Sequence, residues 1–530
     1  MTVLPLLLAL SAAPPGFLSA LPAAPPRAEL ALVAEHIEAW DLPSARVALA
    51  ALETRLDAPS VDVGYLRARI AFYESRYEDA VRLINGVAAE APLDRQVQAA
   101  VSLYAATRDT LAGYETTLSP RGRFQLAYPP GVDAVLVPYL GEALELAFDR
   151  LEAVLGNPQE SPGGALGPLR VEVMPTPDGL AAVSLLKASE IRTTGTVALC
   201  KYNRLMLVSP RALVYGYGWL DTAAHELVHL FVTRQSRNTV PVWLHEGLAR
   251  YFEPRWRSPD PPRLDRPSED LLSRALKQKT LIRFEAMSPS IAKLPGPEEA
   301  ALAYAEVFTV MELLTSKHGE ASLRRLVLAM RDGASDQAAV AKITGKSFPR
   351  FEREWRNALF GRNLRPLPTH ADMKLHFRDT ARSEDELEGL AENGAAELAA
   401  AADRLLVKQR YLAAAIEYEK ALQKAGGPNP VLSARLASAL LRLGHHTRVE
   451  AVVTPALEYT RGYGLLYLYR GKARLKSGDA EGARRDLIEA IRQNPFDPEV
   501  HDLLASALEL LGEKDEAELE RRRHRMVARN

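Results

Sequence analysis

Small residues recur at a fixed interval near the end of the sequence, and this recurrence constrains the fold more than any other feature. Ala505 follows Gly471, and Ala517 follows Ala483, at the same interval of about 34 residues, which is the length of one helical pair with its turns. Helices that cross closely need small side chains at the crossing. The sequence therefore predicts stacked pairs of helices in this part of the chain.

The residues at these spacings resemble the tetratricopeptide repeat (TPR). Three units carry the resemblance: Ala68, Tyr77, Ala80, Val87 and Pro92 within 65–92; Tyr411, Ala414, Tyr418 and Ala421; and Gly471, Ala483, Ala490 and Pro495. The resemblance implies a helical domain at 27–115 and about three repeats within 387–530, which would bind peptides or protein partners in their grooves. A coiled coil or an ordinary helical bundle is the alternative. Because repeats contact mainly their neighbours, we expect the C-terminal array to be separable from the rest of the chain.

The region between the arrays has a different pattern. A chain of 530 residues is too long for one core and should form about three domains. The helical period predicts a helix at Tyr139–Leu155. Period-two alternation and β-rich composition predict four strands, of which the last two would form a hairpin: Phe124–Tyr128, Leu169–Met174, Thr196–Leu199 and Leu205–Val208. An α+β domain is therefore expected at 118–365.

His225, Glu226 and His229 form an H-E-x-x-H motif inside a helical pattern that runs from Gly218 to Gln235. Four residues turn a helix by about 400°, so both imidazoles project from one face and can share one metal ion. Glu226 is close enough to reach a metal-bound water without binding the metal itself. These positions predict a metal site in which Glu226 is the general base.

A catalytic zinc usually has three protein ligands and one open position, so the two histidines need a partner. Glu246 is the best candidate, and it lies in a second predicted helix, Pro241–Glu253. Gly247 would let this helix press against the first. His245 is the competing ligand, because imidazole also binds zinc. Neighbours on a helix point about 100° apart, so only one of the two can face the ion.

The two helices together resemble the gluzincin branch of zinc peptidases, in particular the peptidase MA-like domain of bacterial proteins. Four segments carry the resemblance: HELVH at 225–229, WLHEGLARYF at 243–252, YAEVFTVMELLTSKHG at 304–319 and FEREW at 351–355. It implies a thermolysin-like α+β zincin domain at 118–365, with His225, His229 and Glu246 as zinc ligands and Glu226 as the catalytic base. A metzincin is excluded, because Val232 and Gln235 stand where that family has Gly and the third His.

One position departs from the thermolysin-like pattern. Arg250 stands where those enzymes have an acidic residue that orients a zinc histidine. Asp221, one turn before His225, is a candidate substitute, and an exposed carboxylate at a helix N-terminus is the alternative. Tyr304 is either a hydrogen-bond donor to the developing oxyanion or a core tyrosine.

Charge and cysteine content exclude several other functions. Sixty-six basic and sixty-seven acidic residues give a net charge of −1, so no overall field attracts nucleic acid or anionic lipid. Cys200 is the only cysteine, which excludes intrachain disulfides and cysteine-based zinc fingers. Any metal must therefore use His and carboxylate ligands. No second cluster of such ligands is evident, so we expect one Zn²⁺ per chain.

The N-terminal segment has the size of a signal-peptide core. Val3–Ser11 is a short apolar run followed by small residues and prolines, although no Lys or Arg precedes it. Residues 1–25 are therefore interpreted as a signal peptide or a disordered leader. A periplasmic or secreted location follows from the first interpretation, and a cytoplasmic one from the second. No later segment has the ~20 apolar residues that a transmembrane span needs.

The sequence thus predicts a zinc-dependent metallopeptidase that hydrolyses peptide bonds through metal-activated water, with TPR arrays that recruit a partner or substrate. A catalytically inactive scaffold that only holds zinc is one alternative. A zinc hydrolase acting on a non-peptide amide or ester is another. Activity on unfolded protein, together with zinc content, would separate the three.

Overall fold

The structure is a computed structural model, and it describes residues 27–528 except for 57–59, 161, 165, 289, 368–374, 381–389 and 391–393. The predicted leader at 1–25, with its apolar run Val3–Ser11, lies outside the described residues. Within the described part, every helix is too short or too polar to cross a membrane. The chain is mostly helical, with one small mixed sheet.

Five helices precede the sheet: α1 (Arg27–Glu38), α2 (Leu42–Glu53), α3 (Val61–Tyr73), α4 (Tyr77–Glu90) and α5 (Arg95–Leu111). The predicted pair at 65–92 corresponds to α3 and α4. Small residues lie where these two helices cross, as expected: Ala68 and Ala80 are fully buried. A Cβ added to Gly64 would lie 2.9 Å from Cγ2 of Val87, so the crossing leaves no room for a larger residue.

The sheet has five strands: β1 (Glu115–Leu118), β2 (Phe124–Tyr128), β3 (Leu169–Met174), β4 (Ala198–Lys201) and β5 (Arg204–Val208). Their order is β1-β2-β3-β5-β4, with parallel pairs at β2–β3 and β3–β5 and antiparallel pairs at both edges. The predicted hairpin is present as β4–β5. Its two turn residues, Tyr202 and Asn203, have φ of 56° and 62°, which the two-residue turn of such a hairpin requires.

Ten α-helices complete the described central region, and α6, α7 and α9 pack on the sheet. They are α6 (Leu136–Leu155), α7 (Pro177–Ser184), α8 (Ala188–Thr194), α9 (Trp219–Ser236), α10 (Val242–Phe252), α11 (Arg266–Gln278), α12 (Pro297–His318), α13 (Ala321–Arg331), α14 (Asp336–Thr344) and α15 (Phe348–Phe360). Helix α9 packs on β4 and β5 beside α6, which packs on β2, and the rings of Phe148 and Phe231 lie 5.0 Å apart between the two helices. The helix with the H-E-x-x-H motif is thus the central helix of the core.

Eight helices follow: α16 (Ala395–Val407), α17 (Tyr411–Lys424), α18 (Pro430–Arg442), α19 (His446–Tyr459), α20 (Gly464–Lys476), α21 (Ala480–Ile491), α22 (Pro498–Leu511) and α23 (Lys514–Val527). The first helices of successive pairs begin at 395, 430, 464 and 498, and these starts recur at the expected repeat period. They show four pairs where the sequence predicted about three repeats. The pair that was not predicted is α18–α19. Its second helix has Val449 where the other second helices have alanine, which hides the repeat. In its first helix, however, the small residue Ala437 precedes Gly471 by one full period and could have revealed it.

Both arrays pack on the central region. On the N-terminal side, Arg204 forms an ion pair with Glu172 at 3.1 Å, both fully buried, and its guanidinium lies 4.7 Å from the ring of Phe72. On the C-terminal side, the Tyr217 amide donates to the Gln493 carbonyl oxygen (2.9 Å). One hydrophobic core runs from α1 through α15, and a second lies within α16–α23. The domain boundaries stay a prediction, but the C-terminal array covers residues of the central core.

Candidate metal centre

Helices α9 and α10 bring all four predicted site residues together. His225, Glu226 and His229 on α9 are each 1% exposed, and Glu246 on α10 is fully buried. Helix α9 is buried nearly all round, polar residues included, so it is enclosed by the rest of the domain. The site therefore lies inside the domain and opens to solvent on only a small part of its surface.

The donor atoms of these side chains converge on one point. Oε2 of Glu246 lies 3.3 Å from Nε2 of His225 and 3.8 Å from Nε2 of His229. The ligating atoms of His225, Glu226 and His229 lie within 4.8 Å of one another, so Glu226 is also close to that point. The Glu226 carboxylate lies near the backbone amide of Cys200 in β4, whereas Oε2 of Glu246 lies against both imidazoles. This difference favours Glu246 as the third ligand.

The converging atoms fit a divalent cation. Among the described residues, Nε2 of His225, Nε2 of His229 and both carboxylate oxygens of Glu246 are buried without a hydrogen-bond partner. A buried polar atom without a partner costs about 1–3 kcal/mol, so several at one point are rarely tolerated unless something else binds them. Two imidazoles and one carboxylate are a donor set that suits zinc. Cys200 is buried as a free thiol and adds no ligand to this set.

Glu253 orients the first histidine, and the sequence analysis missed it. Its Oε2 lies 3.0 Å from Nδ1 of His225, and its Oε1 accepts from Nη1 of Arg250 at 2.6 Å. Asp221, the candidate for this role, instead accepts hydrogen bonds from Trp256 (2.8 Å) and Arg257 (2.6 Å). It lies in the first turn of α9, as the alternative expected, but it is half-buried and paired and not exposed. Glu253 lies two turns beyond Glu246 along the same face, and that spacing was the available signal.

His245 lies behind His229. The Nδ1 atoms of the two rings are 3.4 Å apart, so one donates to the other, and the Nε2 of His229 is the nitrogen near Glu246. His245 thus contacts the side of the His229 ring that faces away from the converging atoms. It can orient that ring. Of the two candidates for the third ligand, Glu246 is the one that lies against both Nε2 atoms, and its role as a ligand stays a prediction.

Gly247 has a different partner from the one predicted. A Cβ at this position would lie 3.1 Å from the Val307 carbonyl oxygen and 3.2 Å from Cε of Met311. Both residues belong to α12, so the glycine allows α10 to approach α12 and not α9. Helix α12 also carries Tyr304, which is 2% exposed and lines the same cleft as His225. Burial and the nearby Glu246 raise the Tyr304 pKa, which keeps its hydroxyl protonated.

Burial and charge set the protonation of the metal-free site. Burial lowers the pKa of His225, but the carboxylates of Glu246 and Glu253 outweigh it and raise that pKa to about 9. Burial raises the pKa of Glu226 to about 8. For His229, burial and the neighbouring His225 lower the pKa well below its usual value. At neutral pH the metal-free site therefore holds protons on His225 and Glu226, which a bound cation would displace.

Residues 168–361 match the family model of the Peptidase MA superfamily, which confirms the predicted superfamily for that part of the chain. No curated protein matches the chain. The comparison with solved structures matches, among others, the MamA RS-1 ArsTM double mutant (15% identity, 42% of this chain, 95% of that chain, TM-score 0.23) and the P58(IPK) TPR domain (13% identity, 92% of this chain, 98% of that chain, TM-score 0.22). At these TM-scores the similarities carry no argument about fold or function.

Proposed function

We propose that the protein is a zinc-dependent metallopeptidase of the gluzincin type. The observation that carries the proposal is the convergence of His225, His229 and Glu246 on one point, with Glu226 beside it and with donor atoms that have no other partner in the described chain. The match to the Peptidase MA superfamily supports the same assignment, because the matched segment contains the whole site.

Each residue has a distinct proposed role. His225, His229 and Glu246 would hold one zinc ion, which when bound supplies a Lewis acid and lowers the pKa of its water towards ~7. Glu226 takes the proton of the attacking water and passes it to the leaving amine. The Cys200 amide holds the Glu226 carboxylate in place, and Glu253 holds the ring of His225. Glu226 therefore moves the proton while its neighbours stay fixed.

Two further elements would handle the substrate. Strand β4 is at an edge of the sheet, and its Cys200 adjoins Glu226, so an extended peptide could pair with its free edge. The Tyr304 hydroxyl, protonated and in the His225 cleft, would donate to the oxyanion that develops on the substrate carbonyl. The helical arrays would recruit partner proteins, since stacked helical pairs form concave binding surfaces. A periplasmic or secreted location rests on Val3–Ser11 alone.

One observation favours the alternative of an inactive, zinc-holding scaffold. Glu226 is 1% exposed and does not line the cleft that His225 and Tyr304 line, so the described structure offers a substrate little access to it. In the scaffold, zinc would stabilise the fold and the arrays would carry the function.

Zinc content and cleavage, measured on the same preparation, test the proposal. Purified full-length protein should contain one zinc per chain by elemental analysis, and the His225→Ala/His229→Ala double variant should contain almost none. The wild type should cleave members of a mixed peptide library, and a chelator should stop this. Zinc without any cleavage would support the scaffold, and absence of zinc from protein purified without chelator would contradict both.

A further inference from the structure

A large cleft lies between His225 of the metal centre and the C-terminal array. Its volume is about 1800 Å³. His225 and Tyr304 contribute to its lining from the central region. The array contributes the end of α19 with the turn that follows it, Tyr467 of α20, and Glu489, Arg492 and Gln493. We call residues 458–462 and Tyr467 the array wall. The cleft thus reaches both His225 and the repeat array.

The array is joined to the helix that carries the metal ligands. Arg257 contacts Asp221 of α9 at 2.6 Å and Glu489 of α21 at 3.2 Å. Trp256 donates to the same Asp221, and the guanidinium of Arg492 lies 5.1 Å from its ring. Asp221 is one turn before His225. The array is therefore bound, through Glu489 and Arg492, to the helix that carries two of the candidate metal ligands.

Size and charge determine what the cleft can hold. Sites for small molecules usually measure about 300–1000 Å³, so this cleft suits a larger ligand. Eight arginines and eight acidic residues line it, and several pair with one another, as Arg362 does with Glu312 at 2.5 Å. The lining therefore has no excess of one sign that would select a polyanion. A polypeptide segment, neutral on average, fits both properties.

We propose that the array wall is part of the substrate site and binds an extended polypeptide segment at a distance from the cleaved bond. This inference rests on the proposed function and names its substrate class. Two exposed side chains of the wall, Glu458 and Arg461, carry opposite charges into the cleft. Each would attract a substrate side chain of the opposite sign. Binding energy from such remote contacts is available only to substrates long enough to reach the wall.

Binding of labelled peptides to zinc-loaded Glu226→Gln protein tests this directly, because the peptides stay intact. A peptide of about twelve residues should bind at least tenfold more tightly than its central tetrapeptide, since only the longer one can reach remote contacts. Arg461→Glu should weaken the binding of long peptides with acidic ends by about threefold to tenfold at low salt. Glu458→Lys should weaken the binding of long peptides with basic ends by the same factor. Arg442→Glu, an exposed arginine of the same array outside the cleft, is the matched control and should change nothing.

The two proposals fail in different ways. If long and short peptides bind equally, or if both wall variants match Arg442→Glu, the wall does not belong to the substrate site. Cleavage by the unsubstituted protein is measured in parallel. Length-dependent binding without any cleavage would contradict the peptidase assignment and retain the wall as a polypeptide-binding surface. Cleavage without any dependence of binding on peptide length would support the peptidase assignment and contradict the role of the wall.

Discussion

Loss of the Glu253 carboxylate should weaken zinc binding even though Glu253 does not touch the metal. Its Oε2 lies 3.0 Å from Nδ1 of His225 and fixes the ring so that Nε2 faces Glu246. Side chains that orient a metal ligand typically contribute 10–100-fold in metal affinity. Glu253→Gln keeps an acceptor for Nδ1 but loses the charge, so we expect zinc affinity to fall about tenfold. Glu253→Ala removes the acceptor as well and also takes away the partner of Arg250, so we expect zinc affinity to fall about 100-fold.

Competition against a chromogenic chelator measures these affinities, and Asp221→Asn is the control. Asp221 lies on the same helix as His225 but binds Trp256 and Arg257, so its substitution should leave zinc affinity within about twofold of wild type. Unchanged affinity in Glu253→Ala would refute the orienting role. So would an equal loss in Asp221→Asn, because it would mean that any change near α9 disturbs the site.

Three further predictions concern the ligand set, a buried acid and the C-terminal array. Glu246→Gln should weaken zinc binding far more than His245→Gln in the same competition, because only the first removes a ligand of the converging set; the reverse order would misplace the third ligand. Burial raises the pKa of Glu306 to about 8, so the folded state binds more protons than the unfolded state between pH 4.5 and 8, and stability is lost as pH rises through that window. As the pH rises from about 5 to about 9, the free energy of unfolding of Glu306→Gln should therefore increase relative to that of wild type by up to a few kcal/mol, at about 1.4 kcal/mol per pKa unit. A difference between the two proteins that stays the same at every pH, measured by denaturant unfolding, would contradict this. Removal of 387–530 should lower the guanidinium concentration at which half of the central region is unfolded, because it exposes the buried Tyr217 and Trp219. An unchanged midpoint would mean that the array is separable from the rest of the chain, as the sequence alone predicts.

Local patterns in the sequence predicted the elements that carry the site. Strands β2 and β3 begin and end where alternation placed them, and α9 and α10 lie within a few residues of the helical patterns. The ligand candidates follow from the spacing of side chains on one helix, which is a local property. His225, Glu226 and His229 therefore needed no knowledge of the rest of the fold.

Contacts between distant segments were not accessible in this way. Gly247 was assigned to the wrong neighbour because a glycine reveals only that something approaches closely, whereas the approaching Val307 belongs to α12, which follows only after α11 and a long connection. Glu253 was not predicted because the thermolysin-like pattern places the orienting acid one turn after the ligand, at Arg250, whereas in this chain it lies two turns after Glu246. The junction between Trp219 and Ile491, 272 positions apart, leaves no local pattern at all.

Replacement of Glu226 by Gln is the most direct test of the central claim. The substitution is nearly isosteric and leaves His225, His229 and Glu246 in place, so zinc content and fold should be unchanged. Hydrolysis of a quenched peptide, compared at equal zinc occupancy, should fall by at least ~100-fold, the lower end of general-base contributions. Turnover by the Gln variant equal to that of wild type, with chelator-sensitive activity in both, would show that Glu226 is not the base and that the proposed mechanism is wrong.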